Sequence, residues 1–171
     1  MTPFREILQR LHDRDVPFVI IGGVAAALLG SSMATYDIDV CAPLDRAISI
    51  KIVEALEGTN PRFAMRPDLP VVTPDNHNLR LVKNLYLRTD LGRLDVLGFV
   101  DGVGDYEAAV RQSVAFDFGG NLTCQVLELD ALIASKRAAG RDKDIVGVQH
   151  LEAIKREKKQ QPDLFDKPPT N

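Results

Sequence analysis

Asp37 and Asp39, two aspartates one residue apart, are the side chains of this chain best suited to chemistry. The stretch Asp37-Ile38-Asp39-Val40 alternates polar and apolar residues, the pattern of a strand with one buried face. Side chains two apart on a strand point the same way, so the two carboxylates stand side by side. Like charges so placed repel unless a cation joins them, and an all-oxygen donor set suits a hard divalent ion carrying a phosphate substrate. Just upstream, Phe18, Val19, Ile20 and Ile21 form a short apolar run, read as a strand buried on both faces. Gly22 and Gly23 follow, where a backbone without Cβ can turn tightly or let a phosphate approach its N–H groups. Val24 to Leu29 read as a helix, whose N-terminus would present those groups to an anion.

Asp95 is the third candidate. In the apolar stretch Arg93 to Val100 it lies on one strand face with Arg93 and Leu97, while Leu94, Val96 and Gly98 lie on the other. An unpaired carboxylate in such a strand is costly. Two compensations stand open: a salt bridge to Arg80, Arg88 or Arg93, or membership of the same cation site as Asp37 and Asp39. In the loop from Gly30 to Tyr36, Ser31 and Ser32 carry hydroxyls that can donate to phosphates, or simply form a turn. His77 lies in a loop rich in Pro, Asn and Asp, where a solvated side chain is the ordinary state of a histidine.

A glycine pair followed by Asp-x-Asp on a strand, with Asp95 on a later strand, resembles the nucleotidyltransferase superfamily that includes DNA polymerase β-like enzymes. The nearer resemblance is to small bacterial nucleotidyltransferases of the abortive-infection and toxin–antitoxin type. Ser135, Lys136, Arg137, Arg141, Lys143 and Asp144 are similar to their closing pattern. The resemblance implies an α+β fold with a central mixed sheet flanked by helices. It implies Asp37, Asp39 and Asp95 as catalytic metal ligands, with Mg²⁺ or Mn²⁺ as cofactor. Gly22, Gly23, Ser31, Ser32, Thr35, Lys136 and Lys143 would then bind a nucleoside triphosphate. The implied acceptor is a tRNA, a protein or a small molecule, and the implied context includes a cognate toxin or antitoxin partner. One departure matters: relatives carry Arg-x-Thr-x-Asp in the loop, and this chain keeps Thr35 but has Met33 in the arginine's place. The rival reading is therefore a nucleotidyltransferase fold without turnover, serving as a binding or regulatory module. Lys136 also has a plain alternative, a snorkelling surface lysine, and Arg141, Lys143 and Asp144 can instead form a polar network between helices.

The elements that must position these residues are legible by period. With 171 residues, 45% hydrophobic and 26% charged, the chain has the composition of one soluble globular domain, expected over residues 1–157. A net charge of −3 offers no general basic field for nucleic acid. Phe4, Ile7, Leu8 and Leu11 predict an amphipathic helix over 3–14, with Thr2 and Pro3 at its start. Ile48, Ile52, Val53 and Leu56 predict a helix within 44–57, ended by Gly58. Residues 81–100 read as a hairpin turning at Leu91-Gly92, and 114–128 as a second one turning at Gly119, Gly120 and Asn121. Residues 104–113 read as a short helix, Asp130 as the cap of another through Ala139, and a last helix from Asp142 turns Ile145, Val148, Leu151 and Ile154 inward. Within 59–78, Arg62 to Arg66 read as a short strand in a long connection. Cys41 and Cys124 are expected as buried free thiols of a cytoplasmic protein. Glu6, Asp13 and Asp15 argue against a signal peptide, and the apolar run after them is too short to span a bilayer. Residues 158–171 read as a disordered tail. Within it Gln161-Pro-Asp-Leu-Phe165 resembles the short peptide by which bacterial proteins dock on the replication sliding clamp.

Overall fold

The computed structural model describes residues 2–80 and 82–160. Helix α1, Pro3–Asp13, is capped by the Thr2 hydroxyl, which accepts from the Arg5 N–H, and it buries Ile7, Leu8 and Leu11. Strand β1, Val19–Ile21, is buried at every residue and runs straight into α2, Gly22–Leu28. The helix thus takes in both glycines, where the sequence pattern starts it at Val24. Strand β2, Asp37–Cys41, alternates half-buried aspartates with the buried Ile38 and Val40. Helix α3, Arg46–Ala55, starts where Asp45 accepts from the Ile48 N–H.

Strand β3 covers only Arg62–Phe63, shorter than the Arg62–Arg66 expected, because the chain turns back at Ala64 and Met65. A 3₁₀ turn spans His77–Arg80; the side chains of His77 and Arg80 lie outside the described residues. Strands β4, Asn84–Thr89, and β5, Gly92–Leu97, form the predicted hairpin. The hairpin does not continue to residue 100. Gly98 breaks it, with its N–H donating to the Lys83 carbonyl, and β6, Phe99–Val100, pairs instead with β7, Gly104–Asp105. That ribbon takes the start of the predicted 104–113 helix, leaving α4 as Tyr106–Arg111 behind an Asp105 cap.

Strands β8, Ser113–Asp117, and β9, Thr123–Leu127, form the second hairpin. Helix α5, Leu129–Ala139, is followed by Gly140 in the left-handed region at φ 63°. Its cap position is Glu128, two residues earlier than the expected Asp130. Asp130 lies inside the first turn, where its charge favours the helix N-terminus and it pairs with Lys155 at 2.6 Å. Helix α6, Asp142–Gln160, extends past the expected start of the tail through Lys158, Lys159 and Gln160, residue types that sustain a helix. The clamp-like peptide at 161–165 lies outside the described residues.

The main sheet has seven strands in the order β3-β4-β5-β2-β1-β9-β8. β2 pairs parallel with β5 and β1 parallel with β9, and the remaining neighbours are antiparallel, so the sheet is mixed. Helices flank it, with α1 against α3, and α5 against both α2 and α6. Ile20, Ile38, Val40, Leu85, Leu87, Leu94 and Val96 are fully buried at the sheet centre. Cys41 and Cys124 are both free and buried, and burial pushes each thiol up to about 11, which leaves them unreactive. Among the described residues no helix is long and apolar enough to cross a membrane.

One inward assignment fails. Ile145 is 54% exposed, while Leu151 is buried and Val148 and Ile154 are half-buried against the core. The inward face of α6 instead begins with Asp144 and Gly147, a polar and a bare position that an apolar count passes over. Leu151→Ala should accordingly destabilise the protein by about 2–5 kcal/mol, and Ile145→Ser by less than about 0.5 kcal/mol, in urea melts of the two variants.

Candidate active site

Three strands bring the acids together. In the parallel pair β2/β5, Asp37 lies beside Arg93 and Asp39 beside Asp95, and on the other side of β2 Asp39 faces Ile21 of β1. Residues opposite in a ladder share a face, so all four polar side chains rise from one side of the sheet. One carboxylate oxygen from each of Asp37, Asp39 and Asp95 lies within 4.8 Å of the others. The cluster carries an electrostatic strain that a cation would relieve. Burial, then the charges of Asp37 and Asp95, push Asp39 up from 3.8 to about 6, against the Gly23 N–H that donates to it and the nearby Lys143. Oxygen-only donors at this spacing fit a hard divalent ion, so the residues present suit Mg²⁺ or Mn²⁺.

The glycine pair has a direct steric reason. A Cβ on Gly22, whose φ is +65°, would lie 2.1 Å from Asp39 Oδ2, and one on Gly23 would lie 2.3 Å from Thr35 Oγ1. The backbone of α2 is therefore pressed onto the strand that carries the acids. Thr35 donates to the Asp37 main-chain oxygen at 3.2 Å and to its carboxylate at 3.3 Å, so its hydroxyl orients Asp37. Ser31 accepts from the Met33 N–H at 3.3 Å as a local turn, Ser32 is exposed, and neither lines the cleft described below. Met33 is 37% exposed in the same loop.

Asp95 meets both compensations that the sequence left open. It belongs to the acid cluster, and it also accepts two hydrogen bonds from Arg93, Nε to Oδ1 at 2.7 Å and Nη2 to Oδ2 at 2.8 Å. The pair follows from strand geometry, since residues at i and i+2 share a face. Arg93 was legible only as one of three salt-bridge candidates; its fork over the acids is new.

At the start of α6 a second charged group forms. Asp144, almost wholly buried, accepts from Arg141 Nε at 2.6 Å and lies 3.8 Å from Lys136 Nζ. Burial pulls Asp144 upward, but the Arg141 hydrogen bond and the two cations outweigh it and hold the acid below the usual carboxylate range. Lys136 is not a surface lysine. Its stem crosses α6 at Gly147, where a Cβ would come within 3.1 Å of it, and its exposure is small. The charges of Arg141 and Lys143 reach Asp39. In the sequence this crossing is marked only by Gly147, a bare position in the first half of α6.

A cleft of about 1100 Å³ runs past this group, lined by Gly22, Asp39, Lys136, Arg141 and Asp144. Its walls also include Tyr86, Phe99 and Tyr106, and the acids Asp101, Asp105 and Glu107. These aromatic and acidic residues had no motif to mark them.

No protein-family model matches the chain, and no curated protein matches it. Solved structures do. The lincosamide antibiotic adenylyltransferase LnuA, bound to lincomycin, is similar over 89% of this chain and 96% of its own, at 15% identity and a TM-score of 0.53. The antibiotic-resistance factor ANT(2'')-Ia is similar over 96% of this chain and 93% of its own, at 17% identity and a TM-score of 0.51. The chain shares the fold of these two structures, a mixed sheet flanked by helices as the sequence resemblance implied.

Two outcomes follow from the geometry in metal-free protein. Gly22→Ala should destabilise the fold by more than about 2 kcal/mol, since both its φ and its contact with Asp39 forbid a side chain. Asp39→Asn should do the opposite. Because the folded-state value of Asp39 is raised, its ionisation penalises the fold as pH rises from 3.8 through 6. The asparagine variant should gain on the order of 2–3 kcal/mol over wild type above pH 7 and nothing near pH 4, in thermal melts across that range.

Proposed function

We propose that the protein is a metal-dependent nucleotidyltransferase that moves a nucleoside monophosphate from a nucleoside triphosphate to a hydroxyl of a small-molecule acceptor. The observation that carries the reading is the convergence of Asp37, Asp39 and Asp95 beside a cleft that also holds Lys136 and Arg141. Asp37 and Asp39 would hold the divalent ion, and Asp95 would complete a second metal position. Bound there, magnesium or manganese neutralises phosphate charge and favours loss of the acceptor's proton. Lys136, Arg141 and Lys143 bind the phosphates, and Thr35 keeps Asp37 oriented. Asp95 helps to take up the acceptor proton. The acceptor oxygen forms its bond to the α-phosphorus as the bond to the bridging oxygen breaks, and pyrophosphate leaves. Positioning and fixed charge supply most of the acceleration in such a transfer.

The acceptor class rests on the cleft and on the neighbours. Tyr86, Phe99 and Tyr106 offer apolar faces to a compact molecule, while Asp101, Asp105 and Glu107 repel a polyanion. With a net charge of −3, the chain is a poor match for a tRNA acceptor. LnuA acts on a lincosamide antibiotic, which is in keeping with a small acceptor. A second reading, a nucleotide-binding module without turnover, draws on Met33 and on the occupation of Asp95 by Arg93.

Labelled-phosphate transfer separates them. Purified protein with Mg²⁺ or Mn²⁺, each of the α-labelled triphosphates, and either a panel of hydroxyl-bearing small molecules or total tRNA should label a small molecule and release pyrophosphate. Asp37→Asn and Asp39→Asn should each lower that rate by more than about a hundredfold without loss of folding. Metal-dependent triphosphate binding with no labelled product in any mixture would favour the binding module, and labelled tRNA would overturn the acceptor class.

A further inference from the structure

We infer that Arg93 is a built-in counter-ion standing in a second cation position, so that a second divalent ion binds Asp95 only when a triphosphate draws the guanidinium away. The inference rests on the reading of the three aspartates as a metal site. Both Asp95 oxygens are engaged by the Arg93 fork, at 2.7 and 2.8 Å, a geometry that fixes the carboxylate and puts a full positive charge against it. The charge is not private to that pair. Arg93 lies beside Asp37 in the ladder, and its guanidinium also feels Asp37 and Asp39. In metal-free protein it is thus part of what holds three acids in one small space.

The two partners are unequal. The Asp95 side chain is 10% exposed and anchored mid-strand, between Leu94 and Val96 of the core, whereas the Arg93 side chain is 38% exposed. Of the two, only Arg93 has solvent to move into. A dication between Asp37 and Asp39 is compatible with Arg93 in place. One on Asp95 would sit within a few ångströms of the guanidinium, so the arginine must leave or the ion binds weakly. A triphosphate supplies the alternative partner, since planar bidentate recognition of phosphate oxygens is what a guanidinium fork does best. Arg93 is in this sense a positioning residue that couples completion of the acid site to the presence of substrate.

Manganese binding, read by electron paramagnetic resonance and calorimetry, tests this without turnover. Wild type alone should bind one Mn²⁺ tightly, and a second only with an α,β-methylene nucleoside triphosphate present. Arg93→Gln should bind the second Mn²⁺ without nucleotide, about tenfold or more tighter than wild type. Arg93→Lys, which keeps the charge and loses the fork, should fall between them. Two equal Mn²⁺ sites in nucleotide-free wild type would overturn the inference, and that comparison needs no variant. Unchanged Mn²⁺ binding by a folded Arg93→Gln would overturn it too. Wild type that binds no Mn²⁺ under any condition would remove the metal site itself, and the proposed function with it.

Discussion

Repulsion among three carboxylates is the constraint from which the rest of this structure follows. Asp37, Asp39 and Asp95 could separate in an unfolded chain, yet the β2/β5 register holds them within 4.8 Å. The parallel register itself is fixed by hydrophobic burial on the opposite side. Ile38, Val40, Leu94 and Val96 alternate with the polar residues and are fully buried, and slipping one strand by a residue would expose them and bury the acids. Core burial therefore supplies the free energy that keeps the acids together. The raised Asp39 records what that confinement costs when no cation shares the site.

Confinement also explains the glycine pair in a way that a phosphate-loop reading does not. The steric contacts show Gly22 and Gly23 making room for Asp39 and Thr35, so the backbone closes over the acids from above. The Gly23 N–H then serves Asp39 directly. With seven residues, α2 is short, and its first turn is engaged with the protein's own carboxylate rather than held free for an anion. Glycine here sets the depth of the acid site first.

Much of this was legible because it is periodic or local. The apolar run at β1 marks a strand buried on both faces, and the alternation in β2 and the Arg-x-Asp spacing in β5 follow from a repeat of two, which places side chains on faces before any tertiary contact is known. Helix α1 was equally readable from its stripe and its Thr2 cap. What escaped was long-range or non-apolar. The break at Gly98 depends on a main-chain oxygen at Lys83 across the hairpin, and the β6/β7 ribbon that results has strands too short to show a period. The inward face of α6 was misread at Ile145 because a buried acid and a glycine, rather than aliphatic residues, hold that end of the helix to Lys136 of α5. The aromatic wall of the cleft comes from residues scattered between Tyr86 and Tyr106, with no spacing that sequence could flag.

The charge placement bears on what Met33 means. Where relatives by resemblance carry an arginine in the loop before the Asp-x-Asp strand, this chain has an uncharged side chain, which taken alone suggests a weakened phosphate site. The folded arrangement shifts the weight of that substitution. Asp144, buried and held ionised, anchors Arg141 and draws Lys136 across Gly147, so that two cations are fixed at the cleft by an acid outside the Asp37, Asp39 and Asp95 cluster. Lys143 and Arg93 add charge that reaches Asp39. Arg93 of β5, Lys143 of α6 and Arg141 just before that helix thus place positive charge near the acids without help from the loop. A charge missing from one local motif is a local deficit; the field at the site is a sum over elements that meet only in the fold, and here that sum does not depend on residue 33.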